Sequence, residues 1–98
     1  MLSINFLTSG QIKSLIAARA KECRLHFDLS RQSLAERSGV PVSTIKRFET
    51  LGEISFDSLL RLAAVLDCLQ EFNQLFIAKP PVSLSLKDFP VNRQRGRK

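Results

Sequence analysis

The chain has 98 residues, of which 44% are hydrophobic, and it carries a formal net charge of +6 with a calculated pI near 10.0. This length allows one domain with a modest core, and the charge favours an anionic partner, either nucleic acid or an anionic membrane surface. No apolar run approaches the roughly 18 residues of a membrane span, and the start MLSINFLTSG lacks the features of a secretory signal, so we expect a cytoplasmic protein.

The first predicted helix spans residues 10–27. Apolar or small residues recur there every three or four positions, which is typical of one face of an amphipathic helix. The members of this stripe are Ile12, Ile16, Ala20, Cys23 and Phe27. We expect the stripe to pack against the core.

Two short helices, joined by a tight turn, follow in the stretch LAERSGVPVSTIKRFE at residues 34–49. Ser30 is a good N-cap residue for the first of them, and Gly39 can end it with a positive φ. Pro41 fixes the start of the next helix, predicted over residues 41–51 and closed by Gly52. So tight a connection indicates that one helix is held at a fixed angle to the other.

A fourth helix is predicted after Ser55, which is a fair N-cap, and a fifth over residues 69–76. The fourth helix has a broad apolar face, which indicates deep burial; its members are Phe56, Leu59, Leu60, Leu62, Ala63 and Leu66. The fifth carries Phe72, Leu75 and Phe76 at matching spacing. The sequence therefore predicts an all-α, five-helix domain.

The composition changes after the fifth helix, where Pro80 and Pro81 exclude a helix. Residues 82–86 alternate between apolar and polar, which is consistent with a short strand that pairs with a second chain or with an extended tail. The tail from residue 79 onward carries six basic residues against one acidic residue, or +5 of the total +6. We divide the chain into an N-terminal arm at 1–9, a folded domain at 10–77 and a basic C-terminal tail at 78–98.

The cysteines, Cys23 and Cys68, lie far apart among apolar residues at helical spacing. A structural disulfide needs an oxidising compartment, and a metal site needs more ligands than two cysteines and the single His26. We therefore expect two small core residues, no metal site and no cofactor.

Two helices joined by a three- or four-residue turn containing glycine form the helix-turn-helix, whose second helix enters the major groove of DNA. The stretches LSRQSLAERSGVPVSTIKRFE at 29–49 and ISFDSLLRLAAVLD at 54–67 resemble the Cro/C1-type (Xre) repressor family. The resemblance covers residues 12–76 and implies a lambda-repressor-like fold that binds double-stranded operator DNA. The chain departs from the family pattern at Arg31, where Gln is usual, and at Pro41, where a polar helix cap is usual.

The packing of the two helices predicts an inner and an outer face. Inner residues that lock the pair into one core are Ala35, Val40, Ile45 and Phe48. The resemblance assigns base reading to Val42, Ser43 and Lys46, since lysine can donate to guanine O6 and N7 and valine can contact a thymine methyl group. It assigns phosphate binding, which positions the protein without reading sequence, to Arg31, Gln32, Thr44 and Arg47.

The short domain followed by a Pro-Pro break and a basic end is similar to the DNA-binding partners of HipA-type kinase toxins. This second resemblance implies a HipB-like antitoxin that represses its own toxin-antitoxin operon and docks the toxin or an accessory subunit. We expect a homodimer, because one domain reads only a few base pairs while two domains about 34 Å apart read a full palindromic site.

Three other functions compete with this interpretation. An enzyme is disfavoured by the single histidine and by the lack of a phosphate loop or nucleophile elbow. A protein-interaction module could keep the fold, neutralise or scaffold a partner toxin, and bind no specific DNA. Binding of DNA or RNA by the basic tail alone predicts steep salt dependence with little sequence preference.

Overall fold

The computed structural model describes residues 6–78, which form five α-helices. They are α1 (Ser9–His26), α2 (Arg31–Ser38), α3 (Val42–Leu51), α4 (Phe56–Val65) and α5 (Leu69–Phe72). No strand occurs between residues 6 and 78, so the predicted all-α, five-helix fold is confirmed. The predicted strand at 82–86 and the basic end lie outside the described residues. No helix of the described part is long and apolar enough to cross a bilayer.

Side-chain caps fix where three of the helices begin. The hydroxyls of Ser30 and Ser55 accept hydrogen bonds from the backbone N–H groups of Ser33 and Ser58, at 3.0 and 3.1 Å, as the sequence predicts. α1 begins one residue earlier than predicted, because Thr8 and Gln11 form a reciprocal capping box.

The core lies where α1 packs on α3, and α2 packs on both α3 and α4. Its buried apolar residues are Ala17, Leu29, Leu34, Val40, Ile45, Phe48, Leu62, Ala63 and Leu66. Ala35 is partly buried against them. The prediction that residues of α2, the turn and α3 share one core is therefore confirmed, and α3 is held from both sides on its inner face.

The predicted apolar stripe of α1 is only partly correct, because Ala20 and Cys23 pack against the core but the other three members are exposed. The buried residues of this helix are Ala17 and Arg24, whereas Ile12, Ile16 and Phe27 keep 38 to 44% of their exposure. The face toward the core is displaced by about one residue, so that small side chains meet α3 and Arg24 reaches an acidic partner. Hydrophobic periodicity cannot select a face that contains an arginine.

The predicted deep burial of α4 is correct only for part of its face. Leu62, Ala63 and Leu66 are buried, but Phe56 is 61% exposed. α5 is also shorter than predicted: it ends at Phe72, and turn-type bonds between residues three apart follow it. Phe56 lies at the rim of an open depression that Leu60 of α4 and Leu69 and Phe72 of α5 also line.

Candidate nucleic-acid interface

The turn between α2 and α3 is fixed by two local hydrogen bonds and one buried side chain. Gly39 has φ +78° and donates its N–H to the carbonyl of Ala35 at 2.8 Å. The N–H of Val40 donates to the hydroxyl of Ser38 at 3.1 Å, and the Val40 side chain is buried. The positive φ expected at Gly39 is thus confirmed, and it sets the angle at which α3 leaves the turn.

α3 begins without a side-chain cap. Pro41 occupies the N-cap position, with φ −59° and ψ 148°, and only its carbonyl takes part, accepting from the N–H groups of Thr44 and Ile45 at 3.0 and 3.1 Å. Ser30 and Ser55, by contrast, cover the first turns of α2 and α4 with a hydroxyl. The positive end of the α3 dipole is therefore not masked by a side chain of its own cap residue.

The two faces of α3 differ in burial and in chemistry. Ile45 and Phe48 are buried on the inner face. Ser43 and Lys46 are exposed and Val42 is half-buried, and the 100° step of the helix puts these three on the side away from Phe48. The structure thus brings together, within the first two turns of α3, the three residues to which the family resemblance assigns base reading.

The four predicted phosphate ligands lie in different local settings. Gln32 is exposed and donates to Glu36 at 3.3 Å, and Thr44 is half-buried. Arg31 is half-buried and donates its Nε to Glu49 at 2.9 Å. Arg47 is exposed but paired, with its Nη2 2.6 Å from Oε1 of Glu53. Both arginines are therefore held by acidic residues of α3 or of the segment that directly follows it.

A buried ion cluster under α3 was not predicted. Arg24 donates through Nε and Nη2 to the two carboxylate oxygens of Glu49, at 2.7 and 3.1 Å, and through Nη1 to the carbonyl of Leu29 at 2.9 Å. The Arg24 and Glu49 side chains are 6% and 3% exposed. Arg31 approaches the same carboxylate from α2, so one acidic residue joins the first three helices.

The pKa of Glu49 reflects two opposed effects. Burial alone would raise it, but the hydrogen bonds and charges of Arg24 and Arg31 outweigh that effect and hold the pKa below its ordinary value of 4.5. Glu49 is therefore ionised at neutral pH and fixes both guanidinium groups. The available sequence signal was the position of Glu49 four residues after Ile45, on the same face of the helix, where a buried acidic residue requires a cationic partner.

The cysteines lie at the core and not on the outer face of α3. Both are free, half-buried and packed against the core, and burial raises the pKa of the Cys68 thiol. They help to line an apolar cavity of about 320 Å³ between α1, α4 and α5, with Leu59, Leu66 and Phe72. Between residues 6 and 78, no group of three or more His, Cys, Asp or Glu side chains could hold a metal ion.

The comparison with protein families agrees with this geometry. The model of the helix-turn-helix family matches residues 21–69, which is half of the chain and contains α2, the turn, α3 and α4. The chain therefore belongs to the helix-turn-helix family, and the match supports the resemblance to Cro/C1-type proteins. It is a DNA-binding regulator of transcription, in a family that is generally non-enzymatic. No curated protein matches the chain.

Proposed function

We propose that the chain is a sequence-specific repressor that binds palindromic operator DNA as a homodimer and regulates its own operon. The observation that carries the proposal is the outer face of α3, where Val42, Ser43 and Lys46 stand together on a helix whose inner face is fixed. A major groove accepts one α-helix, and side chains of its first turns can read base edges. Lys46 is the principal reader, with guanine as the base that it fits best.

Phosphate contacts then set the register of α3 on the duplex. Glu49 accepts from Nε of Arg31 and so orients its guanidinium group at the start of α2. Because Arg24 already offsets the charge of that carboxylate, Arg31 keeps its positive charge for a phosphate. Gln32, Thr44 and the uncapped first turn of α3 supply further donors. Together these groups position Lys46 without adding sequence preference of their own.

Selection from a random duplex library tests this proposal. We expect an enriched motif with two-fold symmetry, its half-sites about 10 base pairs or a multiple of that spacing apart, as for other dimeric helix-turn-helix proteins. We also expect a copy of the motif upstream of the protein's own gene, and lower expression of a reporter placed behind it. A library that yields no motif, with wild-type protein that is folded, contradicts the proposal.

A role in a toxin-antitoxin operon is the second part of the proposal. It is supported by the apolar cavity beside α5 and, beyond that helix, by the exposed side chains of Leu75, Phe76 and Ile77, since exposed apolar surface often marks a protein-binding site. The partner that the HipB resemblance implies is a HipA-type kinase toxin or an accessory subunit, and such a complex acts in the cytoplasm. Co-purification with the product of an adjacent kinase gene tests this part, and absence of a complex contradicts it.

The alternative is a protein-interaction module that neutralises or scaffolds a partner toxin without specific DNA binding. The same exposed apolar side chains favour it. It predicts a stable complex with the partner and equal affinity for every duplex. The library selection separates the two functions, because only the repressor enriches a motif.

A further inference from the structure

The end of α3 carries an ion pair on the same helix that the proposed function places in the major groove. Nη2 of Arg47 lies 2.6 Å from Oε1 of Glu53, and the two side chains are 61% and 50% exposed, respectively. Glu53 directly follows Gly52, the residue that ends α3. The pair therefore spans the C-terminal end of the helix and lies in contact with solvent.

Arg47 is on the outer face of α3, one turn after Ser43, where a guanidinium group could reach a phosphate. A carboxylate competes with phosphate for the same donors, because both are anions that accept charge-assisted hydrogen bonds. Lys46, the next residue, takes part in no ion pair among residues 6–78. Two adjacent cations on α3 thus differ in availability: Lys46 is accessible to DNA, and Arg47 is engaged by Glu53.

We propose that Glu53 withholds Arg47 from DNA phosphates and so lowers the affinity of the protein for non-specific DNA. This inference rests on the proposed function and assigns to Glu53 the role of a positioning residue. Exposed ion pairs contribute little to folding stability, so the main consequence of this one is the charge that α3 offers to DNA. Base reading by Lys46 does not depend on it.

The salt dependence of binding reports the proposed role. Each phosphate neutralised by a protein cation steepens the slope of log K against log salt by about 0.9. Because Glu53 withholds Arg47, the salt slope of wild-type protein on non-specific DNA lacks the contribution of a phosphate contact by Arg47. Glu53→Gln keeps the size of the side chain but removes the charge, which frees Arg47 to bind a phosphate.

The experiment is a fluorescence anisotropy titration on a scrambled duplex, from about 50 to about 200 mM salt, the range in which phosphate contacts dominate the change in affinity. It compares wild type, Glu53→Gln, Arg47→Ala and the double variant. We expect Glu53→Gln to bind roughly fivefold more tightly at the lowest salt and to steepen the slope by about 0.9. Arg47→Ala should change little in wild type. In the Glu53→Gln background it should cancel the steeper slope and the part of the gain in affinity that does not come from net charge.

Asp57→Asn is the matched control, since Asp57 also forms an exposed pair, with Arg61 at 3.0 Å, and its loss changes the net charge equally. Any gain that it gives should persist in Arg47→Ala, because it arises from net charge alone. The inference is overturned if Glu53→Gln keeps the wild-type slope, or if the part of its gain that exceeds the gain of Asp57→Asn survives removal of Arg47. If wild type prefers its selected motif in either of these cases, the proposed function stands without this inference. If wild type binds no duplex at the lowest salt, the proposed function and this inference both fail.

Discussion

The inner and outer faces of α3 differ in burial and in how their charged side chains are paired. On the inner face, Ile45 and Phe48 are buried and Glu49 is fixed by Arg24 and Arg31. On the outer face, Ser43 and Lys46 are exposed, and the ion pair of Arg47 is open to solvent. The inner face therefore determines where the helix lies, whereas the outer face can change its chemistry without a large effect on folding.

This difference also separates two kinds of experimental effect. Substitutions on the inner face should lower the free energy of unfolding and affect DNA binding only through the fold. Substitutions on the outer face should leave stability within about 0.5 kcal/mol and change DNA binding directly. Substitutions of Glu49, Ile45 and the two glycines that flank α3 test that separation.

The largest effect is expected from Glu49→Gln, which removes the charge opposite buried Arg24. Loss of one partner of a buried pair leaves an uncompensated charge and typically costs about 3 to 5 kcal/mol. Urea unfolding followed by circular dichroism measures the change. Glu53→Gln is the matched control: its pair with Arg47 is exposed, so the loss should be under about 1 kcal/mol. Equal losses in the two variants would contradict the contrast between the faces.

Neighbouring residues on opposite faces give the next comparison. Ile45 has no exposed surface, so Ile45→Ala leaves a cavity in the core and should cost about 3 kcal/mol. Lys46→Ala, one residue further along α3, should change the free energy of unfolding by less than about 0.5 kcal/mol. The same urea titration measures both changes. A large loss of unfolding free energy in Lys46→Ala would show that this side chain stabilises the fold and would contradict its place on the outer face.

Gly52→Ala should cost more than Gly39→Ala, although both glycines have φ near +75°. A Cβ at Gly52 would lie 2.9 Å from Cβ of Lys13 and 3.1 Å from its backbone, so α1 would have to shift. A Cβ at Gly39 meets only the flexible end of Arg61, at 3.4 Å. We expect losses of about 2 and about 1 kcal/mol respectively. Thermal unfolding of the two variants side by side measures the difference, and equal losses would contradict the clash at Lys13.

The smallest effect concerns acid stability. Because the folded-state pKa of Glu49 lies below 4.5, its ionised form stabilises the fold above that pH, and the contribution is lost as the pH falls through the folded-state value. The difference in unfolding free energy between wild type and Glu49→Gln should stay constant from about pH 7 to about pH 5 and shrink toward about pH 3. A difference that grows on acidification would contradict the assigned shift.

Sequence patterns predicted those parts of the fold that depend on local signals. The caps at Ser30 and Ser55 and the glycines at 39 and 52 act through hydrogen bonds or dihedral angles a few residues away. The inner face of α3 was predictable because Ile45 and Phe48 are apolar and lie three residues apart. The same reasoning indicated which side chains of α3 face outward.

The errors occurred where distant partners decide the structure. Arg24 is buried because Glu49, 25 residues later, accepts its hydrogen bonds, and no helical periodicity in α1 can indicate that partner. The end of α5 does not follow the apolar pattern, since Leu75 and Phe76 are exposed despite their spacing. The ion pair between Arg47 and Glu53 is likewise seen only in the three-dimensional structure.

The central claim is that the outer face of α3 reads DNA sequence. Fluorescence anisotropy at one near-physiological salt concentration measures binding to DNA from upstream of the protein's own gene and to a scrambled duplex. The proteins compared are wild type, Lys46→Ala and the control Lys21→Ala, which replaces an exposed lysine of α1. We predict that wild type and the control prefer the upstream DNA by about a hundredfold or more. Lys46→Ala should lose about 1 to 3 kcal/mol of this discrimination while still binding the scrambled duplex. Equal binding of wild type to both duplexes, unaffected by Lys46→Ala, would contradict the claim.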